Sequence, residues 1–215
     1  KIGSGIKWRL IWAAHCAEPV LQVFNRGPSP RQGRFRYVAR LGDLDAVIDE
    51  AIRLRDDRLV HSRRFEKLFD QAPLRMAQRH LIHQTFQSFL SNSWWCDLEP
   101  AVQPTSDESN PAGSPAESAD RTESRSSPSS EWFSVWDGNW FYHSTIDVQY
   151  NVTLVYLALW PRLLAIQLEL WTGHVRNHRA SGGSYLCHDV GIGTTVGDQA
   201  YSHAMPVEEN CDYLL

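Results

Sequence analysis

With 215 residues, the chain is long enough for one large domain, or for one domain and part of another. Its 42% hydrophobic and 21% charged residues are ordinary globular usage; they argue against a coiled coil or general disorder and predict a packed core. A formal charge of −4 and no Lys/Arg-rich run among the aromatics leave nothing to track a phosphate backbone, so nucleic acid is not an expected partner.

The chain opens at Lys1, directly before the apolar run Trp8-Arg9-Leu10-Ile11-Trp12, and stops within the apolar Tyr213-Leu214-Leu215, which reads as a piece of a longer protein. Residues 6–23 mix Trp, Ile, Val and Leu and run into the turn cluster at 25–30, predicting one or two terminal strands. Asp43 can then cap a helix in which Val47, Ile48, Ala51, Ile52, Leu59 and Val60 recur at helical spacing among charges. This predicts an outward-facing amphipathic helix that continues, or is followed by another, through Phe65, Leu68 and Phe69.

Pro73 suits the first turn of a further helix, whose apolar face would comprise Leu74, Ala77, Leu81, Phe86, Phe89 and Leu90 and end near Ser91. Residues 99–131 are dominated by Ser, Pro, Glu, Asp and Ala, with too little apolar surface to offset ordering entropy, and a disordered surface insertion is expected there. Val148 to Trp171 reads as a helix interrupted at Pro161. Thr153, Arg162, Gln167 and Glu169 break its apolar character, so no membrane span is expected. Gly182-Gly183 marks a turn, and Gly191, Gly193 and Gly197 turn the stretch around His188-Asp189 into loop.

Rings and carboxylates concentrate between residues 131 and 147. Asp137, beside Trp136 and ten residues before Asp147, could be a desolvated catalytic carboxylate, with Trp136 and Trp140 as a platform for a sugar face; equally, Asp137-Gly138 could be a turn pair and the tryptophans core. Thr145 and Asp147 stand at the mouth of a helix, where they can cap it or reach a ligand hydroxyl. His188 and Asp189 can project from their loop into a cleft or pin the loop. Glu208 and Glu209 follow Pro206 at a helix start, where acidic groups favour the macrodipole and could also serve a subsite.

Cys16, Cys96, Cys187 and Cys211 lack CxxC spacing, so neither a zinc site nor a disulfide framework is expected, and Cys187 beside His188 has no evident third group for nucleophilic catalysis. No glycine fingerprint or phosphate loop implies a nucleotide; neither a cofactor nor a metal site is expected. No signal peptide is visible, but with the true start read as missing, localisation stays open.

Three segments in order, Ser144-Thr145-Ile146-Asp147-Val148, Leu159-Trp160-Pro161-Arg162-Leu163-Leu164 and His188-Asp189-Val190-Gly191, resemble the six-hairpin glycosidases built on an (α/α)6 barrel. The likeness is to the β-glucosidase and non-lysosomal glucosylceramidase family (glycoside hydrolase family 116) and the β-xylosidase family (glycoside hydrolase family 52). Met205-Pro206-Val207-Glu208-Glu209 also resembles the glutaminase A family.

The resemblance implies a mainly α fold: a partial toroid of helical hairpins preceded by a short β segment from a β-sandwich domain. Residues 1–40 would end that domain, 41–98 would form the first barrel helices, 99–131 the insertion, and 132–215 an active-site segment truncated at its C-terminus. It places Asp137 where the β-xylosidase family carries its nucleophile and Gln84 where the glucosidase family does, and puts the general acid beyond Leu215. The implied activity is hydrolysis of β-linked glucosides or xylosides, with Trp136, Trp140, Thr145, Asp147, His188, Asp189, Glu208 and Glu209 binding the substrate. A glutamine-directed amidohydrolase and a non-catalytic carbohydrate-binding protein are the alternatives.

Overall fold

The computed structural model describes residues 10–24, 30–100, 130–137, 140–177 and 182–215. Most of the expected insertion, and the Gly138 that follows Asp137, lie outside them. Seven strands form a closed ring: β1 (Leu21–Val23), β2 (Arg31–Phe35), β3 (Ser93–Leu98), β4 (Glu131–Asp137), β5 (Tyr142–His143), β8 (Gly191–Ile192) and β9 (Thr195–Val196). Neighbours run antiparallel in that order, and a parallel pairing of Val23 with Val196 closes the ring on β1. A separate hairpin joins β6 (Val175–Asn177) to β7 (Ser184–Leu186).

This corrects the mainly α, (α/α)6 reading: the fold is mixed, a β-barrel with helices. The physical reason lies in two aromatic strands. Trp94-Trp95-Cys96 and Trp132-Phe133-Ser134-Val135-Trp136 are rich in residues that fit a pleated, half-buried surface. They pair in register from Ser93↔Val135 to Asp97↔Glu131. Strands therefore stand between the helices where a toroid would need consecutive helical hairpins.

The helices are α1 (Arg36–Arg40), α2 (Leu44–Asp70), α3 (Met76–Asn92), α4 (Ile146–Leu159), α5 (Pro161–Thr172) and α6 (Pro206–Leu214). As expected, Asp43 caps α2, its carboxylate accepting the Ala46 amide at 2.8 Å. Pro73 falls one turn before α3 instead of in it, because Arg75 stays extended as N-cap and its N–H donates to the Gln78 side chain. Pro161 splits one apolar helix into α4 and α5, as its missing N–H requires. Among the described residues no helix is long and apolar enough to cross a membrane.

Strand β4 is buried on both faces. Trp132 packs with Leu21, Val23, Cys96, Val190 and Val196 inside the ring, while Phe133 and Val135 meet Tyr156, Leu164 and Ile166 of the helical layer. By contrast, α2 and α3 bury no residue fully. They are tied to the body by rings: Phe65 and Phe69 meet Phe86, and Phe89 stacks on Trp160 at 5.3 Å and 7°.

Candidate functional site

The N-terminus of α4 organises two groups of polar side chains. Thr145, the N-cap, is fully buried, and its hydroxyl does not cap the helix but donates to Asp137 Oδ2 at 2.8 Å. One residue on, the Ile146 N–H donates to the His188 carbonyl at 3.1 Å, which fixes the His188 loop against the helix. Ser144, just before the cap, is buried at φ +47°, in the left-handed region that non-glycine residues seldom adopt. Two bonds hold it there: its N–H donates to the Val135 carbonyl at 2.9 Å, and its hydroxyl accepts the Val135 N–H at 3.1 Å.

The first group is a cleft of about 450 Å³, within the ~300–1,000 Å³ range of small-molecule sites. Asp137, at the end of β4, lines it together with Trp136 and Gln149. Helix α3 contributes Gln84, Ser88 and Asn92, which are four residues apart and so form one polar stripe. The Trp136 ring is held by Trp94 and Phe141, with centroids at 4.5 and 4.9 Å. On the floor, the Tyr156 hydroxyl donates to Gln149 Oε1 at 3.2 Å and accepts from Gln167 Nε2 at 3.3 Å, orienting the Gln149 amide.

The second group joins Asp147 in the first turn of α4, His188 in the loop after β7 and Glu209 in the first turn of α6. One donor atom from each lies within 4.8 Å of the other two. Pro206 starts α6, and the Glu209 N–H closes onto the Met205 carbonyl, which turns this glutamate inward while Glu208 faces solvent. Glu209 is 0% exposed. Among the described residues neither of its carboxylate oxygens has a hydrogen-bond partner, nor does the buried Oδ1 of Asp147.

Burial, reinforced by the charges of Asp147, Glu208 and Asp212, pushes the Glu209 carboxyl up to about 8 even though His188 acts against the shift. For His188, burial favours the neutral ring, but the hydrogen bond it makes to Asp189 and the charges of Glu209, Asp189 and Asp147 outweigh it and raise the pKa.

Behind His188 stands Asp189, 0% exposed and fully used. Its Oδ1 accepts the amides of Gly191 at 3.0 Å and Ala200 at 2.8 Å, and its Oδ2 accepts that of Tyr201 at 3.0 Å and meets His188 Nδ1 at 3.1 Å. The Tyr201 ring lies over the imidazole, centroids 4.4 Å apart. Gly191 has φ +130°, and a Cβ there would sit 2.5 Å from the Val196 Cα, so the turn that brings its amide to Asp189 demands glycine.

The expected site residues thus divide. Trp136, Asp137 and Thr145 form one group; Asp147, His188 and Glu209, with Asp189 behind them, form the other. Trp140, 71% exposed, and the solvent-facing Glu208 belong to neither. Sequence pattern singles out Gln84 alone on α3; Ser88 and Asn92, at i+4 and i+8 from it, line the cleft beside it. No family model matches the chain, and no curated protein matches it either. With the toroid corrected, nothing supports membership of the six-hairpin glycosidases or the glutaminase A family.

Proposed function

We propose that the chain binds β-linked glucosides or xylosides in the Asp137 cleft and takes part in their hydrolysis, with Asp137 as nucleophile or general base. The observation that carries this reading is the composition of the cleft: a carboxylate, an indole and a stripe of amide and hydroxyl side chains around a volume suited to a small ligand. Amide and carboxylate groups exchange hydrogen bonds with sugar hydroxyls, and an indole covers the apolar face of a pyranose. The Thr145 hydroxyl satisfies one oxygen of Asp137 and holds the carboxylate at the cleft wall.

Hydrolysis of a glycoside ordinarily uses two carboxyl groups. Among the described residues that line the cleft, Asp137 is the one carboxylate, so sugar binding and turnover are separable and should be measured apart. The test pairs calorimetric titration of methyl β-glucoside and methyl β-xyloside with turnover of the corresponding aryl glycosides, using the wild type, Ser88→Leu and Asp137→Asn; glutamine hydrolysis serves as a control.

The expected outcome is sugar binding weakened in Ser88→Leu, which blocks the stripe, and aryl-glycoside turnover reduced on the order of 10²-fold or more in Asp137→Asn. Binding without turnover would reduce the function to carbohydrate recognition. No binding, or glutamine turnover alone, would overturn the proposal.

A further inference from the structure

The Asp147, His188 and Glu209 cluster is not part of the cleft, and its chemistry differs. A buried carboxylate without partners is costly: whether ionised or protonated it has hydrogen-bonding capacity to fill, and such groups are normally satisfied. Here both oxygens of Glu209 and one of Asp147 are unfilled among the described residues, and one donor atom of each carboxyl group lies within 4.8 Å of the other and of an imidazole nitrogen. Carboxyl groups placed this close in a region sheltered from water are held ionised only with a cation between them.

We infer that Asp147, His188 and Glu209 bind a divalent transition-metal ion of the zinc or manganese class. Two carboxylate oxygens and one imidazole nitrogen form a mixed donor set suited to such ions, and three protein ligands leave a position open for water or a small ligand. Donor atoms within 4.8 Å of one another close onto an ion with bonds of roughly 2.0–2.2 Å by a small inward adjustment of the side chains.

The support around the histidine fits the same role. Asp189, itself anchored by three backbone amides, engages Nδ1 and leaves Nε2 as the ring's lone-pair donor. This is the carboxylate–histidine arrangement that orients metal ligands and raises their basicity. Glu209 and His188 are buried whereas Asp147 stays partly exposed, so the approach for an ion lies on the Asp147 side.

The test uses the full chain, stripped of metal by chelation and titrated with ZnCl₂ and, separately, MnCl₂ by calorimetry. Thermal melts are recorded with and without each ion. The wild type is expected to take up about one equivalent of one of them and to melt higher when loaded. Glu209→Gln and Asp147→Asn should lose both the uptake and the rise in Tm, and Asp189→Asn should weaken binding about 10–100-fold.

Asp147→Asn is partly exposed and guards against a folding failure in Glu209→Gln; circular dichroism of each metal-free variant verifies the fold. Asp137→Asn should bind metal like the wild type, so failure of the glycoside proposal leaves this one standing. Absence of uptake by the wild type, or uptake unchanged in both ligand variants, would overturn it.

Discussion

His143 shows how a single side chain couples the barrel interior to pH. The ring is 0% exposed, its Nδ1 lies 2.7 Å from Ser134 Oγ, and its Nε2 lies 2.7 Å from the Gly193 carbonyl. The rings of Trp94, Trp132 and Trp136 pack around it, and the Asp189 charge acts on it. Burial dominates and lowers its pKa from 6.5 to about 4, against the opposing pull of Gly193 and Asp189.

The unfolded chain therefore takes up a proton near pH 6.5 that the folded chain refuses until about 4. The resulting stability is fully present above about 6.5, declines as the pH falls, and is gone below about 4. Its size is on the order of 3 kcal/mol. Urea unfolding at a series of pH values should show this slope in the wild type and lose it in His143→Gln; parallel curves would refute the assignment. A second prediction at this scale concerns Gly191→Ala, which combines a forbidden φ with a backbone clash. It should cost on the order of 2 kcal/mol or more in denaturant unfolding, a loss absent at Gly42, where a Cβ meets nothing within 4 Å.

At the scale of elements, the start of α4 is where the molecule brings its polar groups together. Its N-cap reaches back to β4 through Thr145 and Asp137, its first turn supplies Asp147, and its Ile146 amide binds the His188 loop. The other end of α4 holds the α3 stripe in place: Trp160, between α4 and α5, stacks on Phe89 and meets Phe86 edge-on at 6.0 Å. Trp160→Ala should therefore lower stability by about 2 kcal/mol, less than for a fully buried ring. It should also weaken sugar binding in the cleft, since α3 loses its anchor. Sugar affinity unchanged in a folded Trp160→Ala protein would show that the stripe does not depend on this contact.

For the whole molecule, burial is uneven. The closed ring of strands, helices α4, α5 and α6 and the loops between them hold the buried residues, whereas α2 and α3 contribute none. Elements with few buried apolar contacts open locally at lower free energy than the core. Hydrogen exchange should accordingly proceed faster across α2 and most of α3 than across β3 and β4, with the two strands exchanging together. Equal protection throughout would mean that the helical hairpin folds as one unit with the barrel.

Several features were legible in the sequence because their causes are local. Asp43 caps α2 through a bond to an amide three residues on, Pro161 cuts an apolar helix wherever it stands, and Pro206 starts α6 with acidic residues in its first turn. Composition likewise predicted a packed core. The pairing of β3 with β4 was not legible, although Trp94-Trp95 and Trp132-Phe133 carried a strand signal. Strand pairing joins residues some 40 positions apart, and three short segments shared with a helical toroid carry no information on such a pairing.

The site residues divide in the same way. Sequence alone singled out Asp137, Asp147, His188 and Glu209 by residue type and neighbourhood, but it could not group them. Only the tertiary structure set Thr145 against Asp137, turned Glu209 inward and Glu208 outward, and brought α4, α6 and the His188 loop to one point. Burial and missing partners, which make that point chemically informative, are properties of the surrounding fold and not of any segment within it.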